Sequence, residues 1–200
     1  METFSFLQNY QLENERVRLK PLQVEDFEAL LPFAIAEPEL WKYSLVSAAG
    51  AENMRRYIQA ATLARQDRKE YPFLVFDKKL NSVAGSTRFY DIQLHHHTVQ
   101  LGYTWYGKEF QGTGLNRHCK FLMLDFAFGR MGFERVEFRA DLRNAKSIQA
   151  MKRIGCVQEG VLRRNCADAQ GGRRDSIILS ILKNEWEDNL RDNLLQQLKS

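Results

Sequence analysis

Gln111-Gly112-Thr113-Gly114-Leu115-Asn116 is the stretch on which the reading of this chain turns. Upstream of it, Val99-Gln100-Leu101-Gly102-Tyr103-Thr104-Trp105-Tyr106 places β-branched and aromatic residues at alternating positions, as a pleated strand does. Downstream, from about Asn116 to Arg130, the chain is rich in Leu, Phe, Met and Ala, which suits a buried helix. Strand, glycine turn and helix in that order leave the first N–H groups of the helix without intrahelical acceptors. The helix dipole adds partial positive charge at the same place, so the expected guest is a phosphate or pyrophosphate. Gly112 and Gly114 suit the turn because a Cβ at either would hold a ligand off the backbone or forbid the dihedrals. No Lys-Ser or Lys-Thr pair follows as in a P-loop, and the third glycine of a dinucleotide fingerprint is absent. Nucleoside triphosphates and NAD therefore fall behind. A turn of this kind also serves as a plain connector, so the anion reading needs support from the rest of the chain.

Two hundred residues with 44% hydrophobic and 12% aromatic content can bury one substantial core. One domain over residues 1–200 is expected, with 185–198 forming a C-terminal helix. The formal charge of +4, from 29 basic and 25 acidic residues, is too small for a nucleic-acid-binding composition. Arg163-Arg164 and Arg173-Arg174 flank a turn at Gly171-Gly172 and read either as a phosphate contact or as a solvated hairpin end. No run of about eighteen apolar residues exists to span a membrane. The start, Met1-Glu2-Thr3-Phe4-Ser5-Phe6, lacks a basic segment followed by an apolar run, so a cytoplasmic protein is expected. Cys119, Cys156 and Cys166 are odd in number and lack CxxC spacing, against a disulfide framework or a structural zinc site. His95-His96-His97 has no third ligand at a recognisable spacing and reads as a solvated hairpin tip; no metal is expected.

Arg16 to Lys20 alternates and reads as an opening strand closed by Pro21. A helix beginning at Glu25-Asp26 should be limited by Pro32 and Pro38, leaving an aromatic loop with Phe33, Trp41 and Tyr43. Ala51 to Arg68 fits a second helix. Pro72 to Asp77, Ser82 to Tyr90 and Thr98 to Tyr106 form a meander of three strands. After the glycine turn and its helix come a strand at Arg135–Ala140 and a short helix capped by Asn144 and ended by Gly155. Strands at Val157–Arg163 and Ser176–Leu182 follow, then a closing helix with Trp186, Leu190, Leu194 and Leu198 four apart. The order predicts a mixed α/β fold.

That order, with the glycine turn after the fourth strand, resembles the GNAT superfamily of acyl-CoA N-acyltransferases, and within it the ribosomal-protein N-terminal acetyltransferases of the RimJ/RimL type. Gly102-Tyr103 with Trp105 looks like that branch's fourth strand, and Phe110-Gln111-Gly112-Thr113-Gly114-Leu115 is similar to its pyrophosphate loop. Asn144-Ala145-Lys146-Ser147 with Ile154-Gly155-Cys156 looks like its Asn-x-x-Ser helix and Gly-Phe ending. Glu159 to Arg163, Arg174-Asp175 and Glu185-Trp186 match its closing pattern in order and spacing. The likeness runs from about residue 14 to 187. Asn116 replaces the family's Gly or Ala, and Cys156 its phenylalanine. The fold implied is a mostly antiparallel seven-stranded sheet flanked by helices, with an extra C-terminal helix.

The resemblance implies transfer of an acetyl group from acetyl-CoA to a primary amine, by direct attack on the thioester in a ternary complex. CoA binding would fall to the backbone amides of Gln111, Gly112, Thr113, Gly114, Leu115 and Asn116, with Arg117 nearby. Pantetheine would lie where the fourth and fifth strands part, with Tyr103 to Trp105 flanking the thioester and Asn144 bonding the arm. The position at which many relatives carry a proton-donating tyrosine is Met151, which has no proton to give. Ser147 is the implied substitute, as a hydrogen-bond donor to developing negative charge. Gln100 stands where relatives often have Glu, so Glu109 and Asp91 are the carboxylates to consider as general base. The acceptor is a protein amino terminus or a small polyamine or aminoglycoside-like amine. No nucleic acid or membrane partner is expected, and the chain is a monomer or homodimer. Gln100 and Met151 leave open a module that binds acyl-CoA without catalysis.

Overall fold

A computed structural model describes residues 4–168 and 171–199; the reading of Met1–Thr3 lies outside the described residues. The opening strand forms as β2 (Val17–Pro21), with Val17 and Leu19 fully buried. Ahead of it β1 (Leu12–Glu13) folds back antiparallel and sets Leu12 opposite Leu19. Among the described residues the sheet therefore has eight strands rather than seven. Two residues are too few to carry an alternating pattern, which is why the sequence does not announce β1.

The remaining strands are β3 (Tyr71–Asp77), β4 (Ser82–Gln93), β5 (Thr98–Tyr106), β6 (Arg135–Asp141), β7 (Val157–Ala167) and β8 (Arg173–Leu182). They lie in the order β1-β2-β3-β4-β5-β6-β8-β7. Every neighbouring pair is antiparallel except β5 and β6. That one parallel pair needs a long crossover, and α3 (Leu115–Asp125), prolonged by a π turn at Phe126–Arg130, supplies it.

Three other helices pack around this frame: α1 (Phe27–Ala36), α2 (Ala51–Gln66) and α4 (Ala145–Arg153). The expectation that Pro32 would limit the first helix is corrected, because α1 runs through it. Phe27, Leu30, Phe33 and Ala34 form one buried stripe, and its burial outweighs the single hydrogen bond Pro32 removes. The carbonyl that loses its donor belongs to the exposed Glu28, which is open to solvent. The chain ends in Lys183–Glu185, a π turn at Trp186–Leu190, and Arg191–Leu198, held to α3 by an Arg191–Asp125 ion pair of 2.6 Å.

The two faces of β5 carry different neighbours. Trp105 meets Trp41 at 5.3 Å, Phe33 of α1 at 5.7 Å and Tyr57 of α2 at 6.5 Å. Tyr106, on the other face, hydrogen-bonds Asn116 of α3 at 3.1 Å. Gly85 lets β4 and β5 lie this close: its φ is +152°, and a Cβ there would stand 2.1 Å from the Trp105 carbonyl oxygen. Gly85→Ala should reduce unfolding free energy by roughly 2–4 kcal/mol through backbone strain and overpacking. Urea denaturation measures this, and an unchanged midpoint would show that the two strands can separate without loss.

Candidate active site

The site begins with a bulge in β5. Arg88 pairs with Gly102 and Ser86 with Trp105, so three steps on β5 oppose two on β4, and Tyr103 takes a φ of +48°. Past the bulge, neighbouring side chains alternate between the two faces. Tyr103 stacks edge-on against Tyr90 at 5.1 Å and under the Arg88 guanidinium at 4.2 Å. Burial raises the Tyr103 phenol above its ordinary range. Thr104 points toward α3, where its Oγ1 lies 2.7 Å from Thr87 Oγ1 and accepts from Lys120 Nζ at 2.9 Å. Trp105 is buried, and its Nε1 donates to Tyr57 Oη at 3.3 Å.

β5 and β6 pair only through Thr98–Arg135, Val99–Val136 and Gln100–Glu137. Beyond Gln100 the two strands part, while β6 continues along β8 as far as Asp141–Ser176. The β5 edge from Leu101 onward thus faces an opening in the sheet. At its end comes a 3-10 turn at Lys108–Phe110 and then the glycine loop.

In that loop Gly112 and Gly114 have φ of +77° and +88°, and Cβ atoms built on them meet nothing within 4 Å. Their role is conformational, since space around them is open. Gly114 is the N-cap of α3 in the left-handed region. Among the described residues, the amides of Gly112, Thr113, Gly114 and Asn116 have no acceptor. The Gln111 amide differs: it donates to Lys108 O at 3.1 Å to close the preceding turn. Its side chain instead ties two parts together, donating to Tyr106 O at 2.8 Å and accepting from Lys146 Nζ of α4 at 2.6 Å. The Leu115 amide has a weak acceptor in Thr113 Oγ1 at 3.4 Å. Arg117 turns to the chain's end, where it donates to Gln197 O at 3.1 Å.

Lys146 brings the start of α4 beside the loop. Asn144 caps that helix, its Oδ1 accepting from the Ser147 amide at 3.1 Å, and its Nδ2 group has no partner among the described residues. Ser147 is half-buried, and its hydroxyl has no partner among the described residues. Met151 is buried one helical turn on. The two carboxylates diverge. Glu109 is exposed and has no side-chain partner among the described residues. Asp91 accepts from Gln100 Nε2 at 2.7 Å and from Gln93 Nε2 at 2.7 Å, beside the last parallel pair.

The sequence reading missed Lys120 and Lys146. Lys120 interrupts a buried stripe formed by Leu115, Cys119, Met123 and Leu124, and that lone charge on an apolar face was the available signal.

Residues 16–157 match the model of the Acetyltransferase (GNAT) domain, which covers more than half of the sequence. The chain belongs to the GNAT acetyltransferase family. It is 25% identical to the uncharacterized N-acetyltransferase p20 of Bacillus licheniformis over 179 residues, 88% of this chain and 97% of that one. A GCN5-related N-acetyltransferase from Brucella melitensis has the same fold, with a TM-score of 0.88 at 22% identity over 97% of this chain and 87% of that one. So has Mycobacterium smegmatis RimJ in complex with CoA-disulfide, with a TM-score of 0.80 at 17% identity over 94% and 93%. The chain is an acyltransferase of this family, built on the mixed α/β sheet of GNAT enzymes.

The α4 cap is the most easily tested part of this geometry. Asn144→Ala removes the acceptor for the Ser147 amide and should cost about 1 kcal/mol of stability. Thermal unfolding reads the loss, and Asn144→Asp, which keeps the acceptor, should restore it.

Proposed function

We propose that this GNAT chain transfers an acetyl group from acetyl-CoA to a primary amine, by direct attack of the neutral amine on the thioester while both substrates are bound. One observation carries the reading. Four free amides, of Gly112, Thr113, Gly114 and Asn116, stand at the N-terminal end of α3 next to the open edge of β5. Such amides and the helix dipole suit a diphosphate, and the open strand edge suits the amides of pantetheine.

On this reading the loop from Gln111 to Asn116 holds CoA through those amides, with Gln111 acting by its side chain. Tyr103 and Trp105 flank the thioester, Trp105 through its backbone because its ring belongs to the aromatic core. Asn144 Nδ2 binds the pantetheine arm, and the Ser147 hydroxyl hydrogen-bonds the charge that develops on sulfur. Arg117, committed to Gln197, adds charge without direct contact. Both carboxylates are exposed, and Asp91, joined to the buried Gln100 beside the opening, is favoured over Glu109 to receive the proton of the amine. Residues 1–200 act as one GNAT unit in the cytoplasm. A protein amino terminus is the acceptor favoured by the RimJ/RimL-type likeness, with small polyamines as the other class.

Thiol release from acetyl-CoA in the presence of amino-terminal peptides and small amines tests the activity. Ser147→Ala should lower kcat by about 10²-fold and leave CoA affinity by calorimetry nearly unchanged. Gly114→Val should do the reverse of the second point, abolishing CoA binding through the lost left-handed cap. A chain that gives no heat with CoA would overturn the proposal, and an unchanged Ser147→Ala rate would remove Ser147 from it.

A further inference from the structure

Six charged side chains are buried among the described residues: Asp26, Asp77, Arg88, Lys120, Asp141 and Arg174. Four are ion-paired, Asp26 with Lys20, Asp77 with Arg16, Arg88 with Glu70 and Asp141 with Arg143. Arg174 divides its guanidinium between Ser176 Oγ and Tyr43 O. Lys120 stands apart. Its Nζ has one hydrogen-bond partner among the described residues, the neutral Thr104 Oγ1 at 2.9 Å, although an ammonium carries three donors. The face of the Phe138 ring lies 5.7 Å away. Burying an ammonium with no counter-ion is unfavourable, so folding alone gives no reason for a lysine here.

Its position supplies the reason. Thr104 belongs to the β5 bulge, and Phe138 follows Glu137, the last β6 residue paired with β5. The amine therefore sits between the two strands at the point where they part. Among the described residues the titratable groups that act on it are thiols, Cys119 from its own helix and Cys156 from the turn after α4, and no carboxylate does. Cys156 in turn donates its amide at 3.1 Å to the carbonyl of Met151, the residue that replaces the proton-donating tyrosine. Burial pushes the Lys120 ammonium down to about 8.

We infer that Lys120 is a catalytic residue that protonates the departing thiolate of the acyl thioester, the task Met151 cannot perform. This rests on the acetyl-transfer reading above. The amine nitrogen bonds to the carbonyl carbon, the C–S bond breaks, and its electron pair leaves on sulfur. Sulfur takes a proton from Lys120 Nζ. The new amide nitrogen releases its extra proton to water, and Lys120 is recharged from water. Ser147, too weak an acid to give up its proton, remains a hydrogen-bond donor to the same charge.

Lys120→Met tests this. Its kcat should fall about 10²-fold or more, with the KM for acetyl-CoA and CoA affinity unchanged. The parent kcat should decline as pH rises past about 8, where Lys120 loses its proton, and the variant should lack that decline. Its thermal midpoint should hold or rise, since an unpaired buried charge has been removed. Lys120→Arg, which keeps the charge but does not release a proton, should lose kcat to the same degree. Parent-like kcat in either variant, or an alkaline decline that persists in Lys120→Met, overturns the assignment. Should Lys120→Met not fold, Thr104→Val takes its place. Losing the hydroxyl acceptor must shift the alkaline decline to lower pH, and an unmoved decline overturns the assignment. A parent chain that binds no CoA would instead overturn acetyl transfer itself.

Discussion

The structure depends on how briefly β5 and β6 stay together. Three residue pairs join them, from Thr98–Arg135 to Gln100–Glu137, and then each strand follows a different neighbour. β6 is held along its length by β8. β5 is held by β4, and the extra residue at Tyr103 bends it and increases its twist. The sheet is in effect two half-sheets fused at one end, β1 to β5 and β6 to β8. Buried peptide groups require partners, so an edge that opens inside the core is stable only if water or a ligand completes it. The glycine loop lies at the open end, which is why an anion site and an unpaired strand edge occur side by side.

Two chemistries lie on either side of the bulge. On the α1 and α2 face, Arg88 pairs with Glu70 at 2.6 Å and lies over both Tyr57 and Tyr103, while its Nε and Nη2 find no acceptor among the described residues. Gly102 allows this arrangement, since a Cβ there would come within 2.8 Å of the Tyr90 ring. On the α3 face, Thr104 collects Thr87 and Lys120. A regular strand would have sent residues 102 and 104 to the same face. The added residue breaks that relation at Gly102, and ordinary alternation past it leaves the Tyr103 phenol and the Thr104 hydroxyl on opposite sides of one backbone, beside the same opening.

Much of this was legible in the sequence, for reasons of periodicity. The alternating run from Val99 to Tyr106, the glycine turn and the apolar helix each carry their own signal, and their order carried the family resemblance. The parts that were not legible depend on geometry beyond the local pattern. Pro32 reads as a stop because its effect on one hydrogen bond is local, whereas the burial of Phe27, Leu30 and Phe33 that overrides it is tertiary. Gln111 belongs to the loop by spacing, but its amide is taken by Lys108 three residues back. Arg117 has the right charge at the right distance in sequence, yet the C-terminal helix offers Gln197 O as an acceptor and the side chain goes there. Asp91 and Gln100 lie nine residues apart, and only the β4–β5 hairpin makes them partners.

Lys120 follows the opposite logic. Its neighbours Leu115, Cys119, Met123 and Leu124 mark the face as core, so a charge there contradicts the local pattern rather than completing it. Nor does the fold compensate: Asp77, a carboxylate with no exposure, is saturated by Arg16 and by the amides of Lys79 and Leu80. The two cysteines that face the amine are themselves pushed up to about 12 by burial and stay neutral. An ammonium left with one hydroxyl, two thiols and a ring face is destabilising to the folded chain. Sites that violate local consistency in this way are where folding and activity make different demands, and here the violation falls at the fork of the two strands.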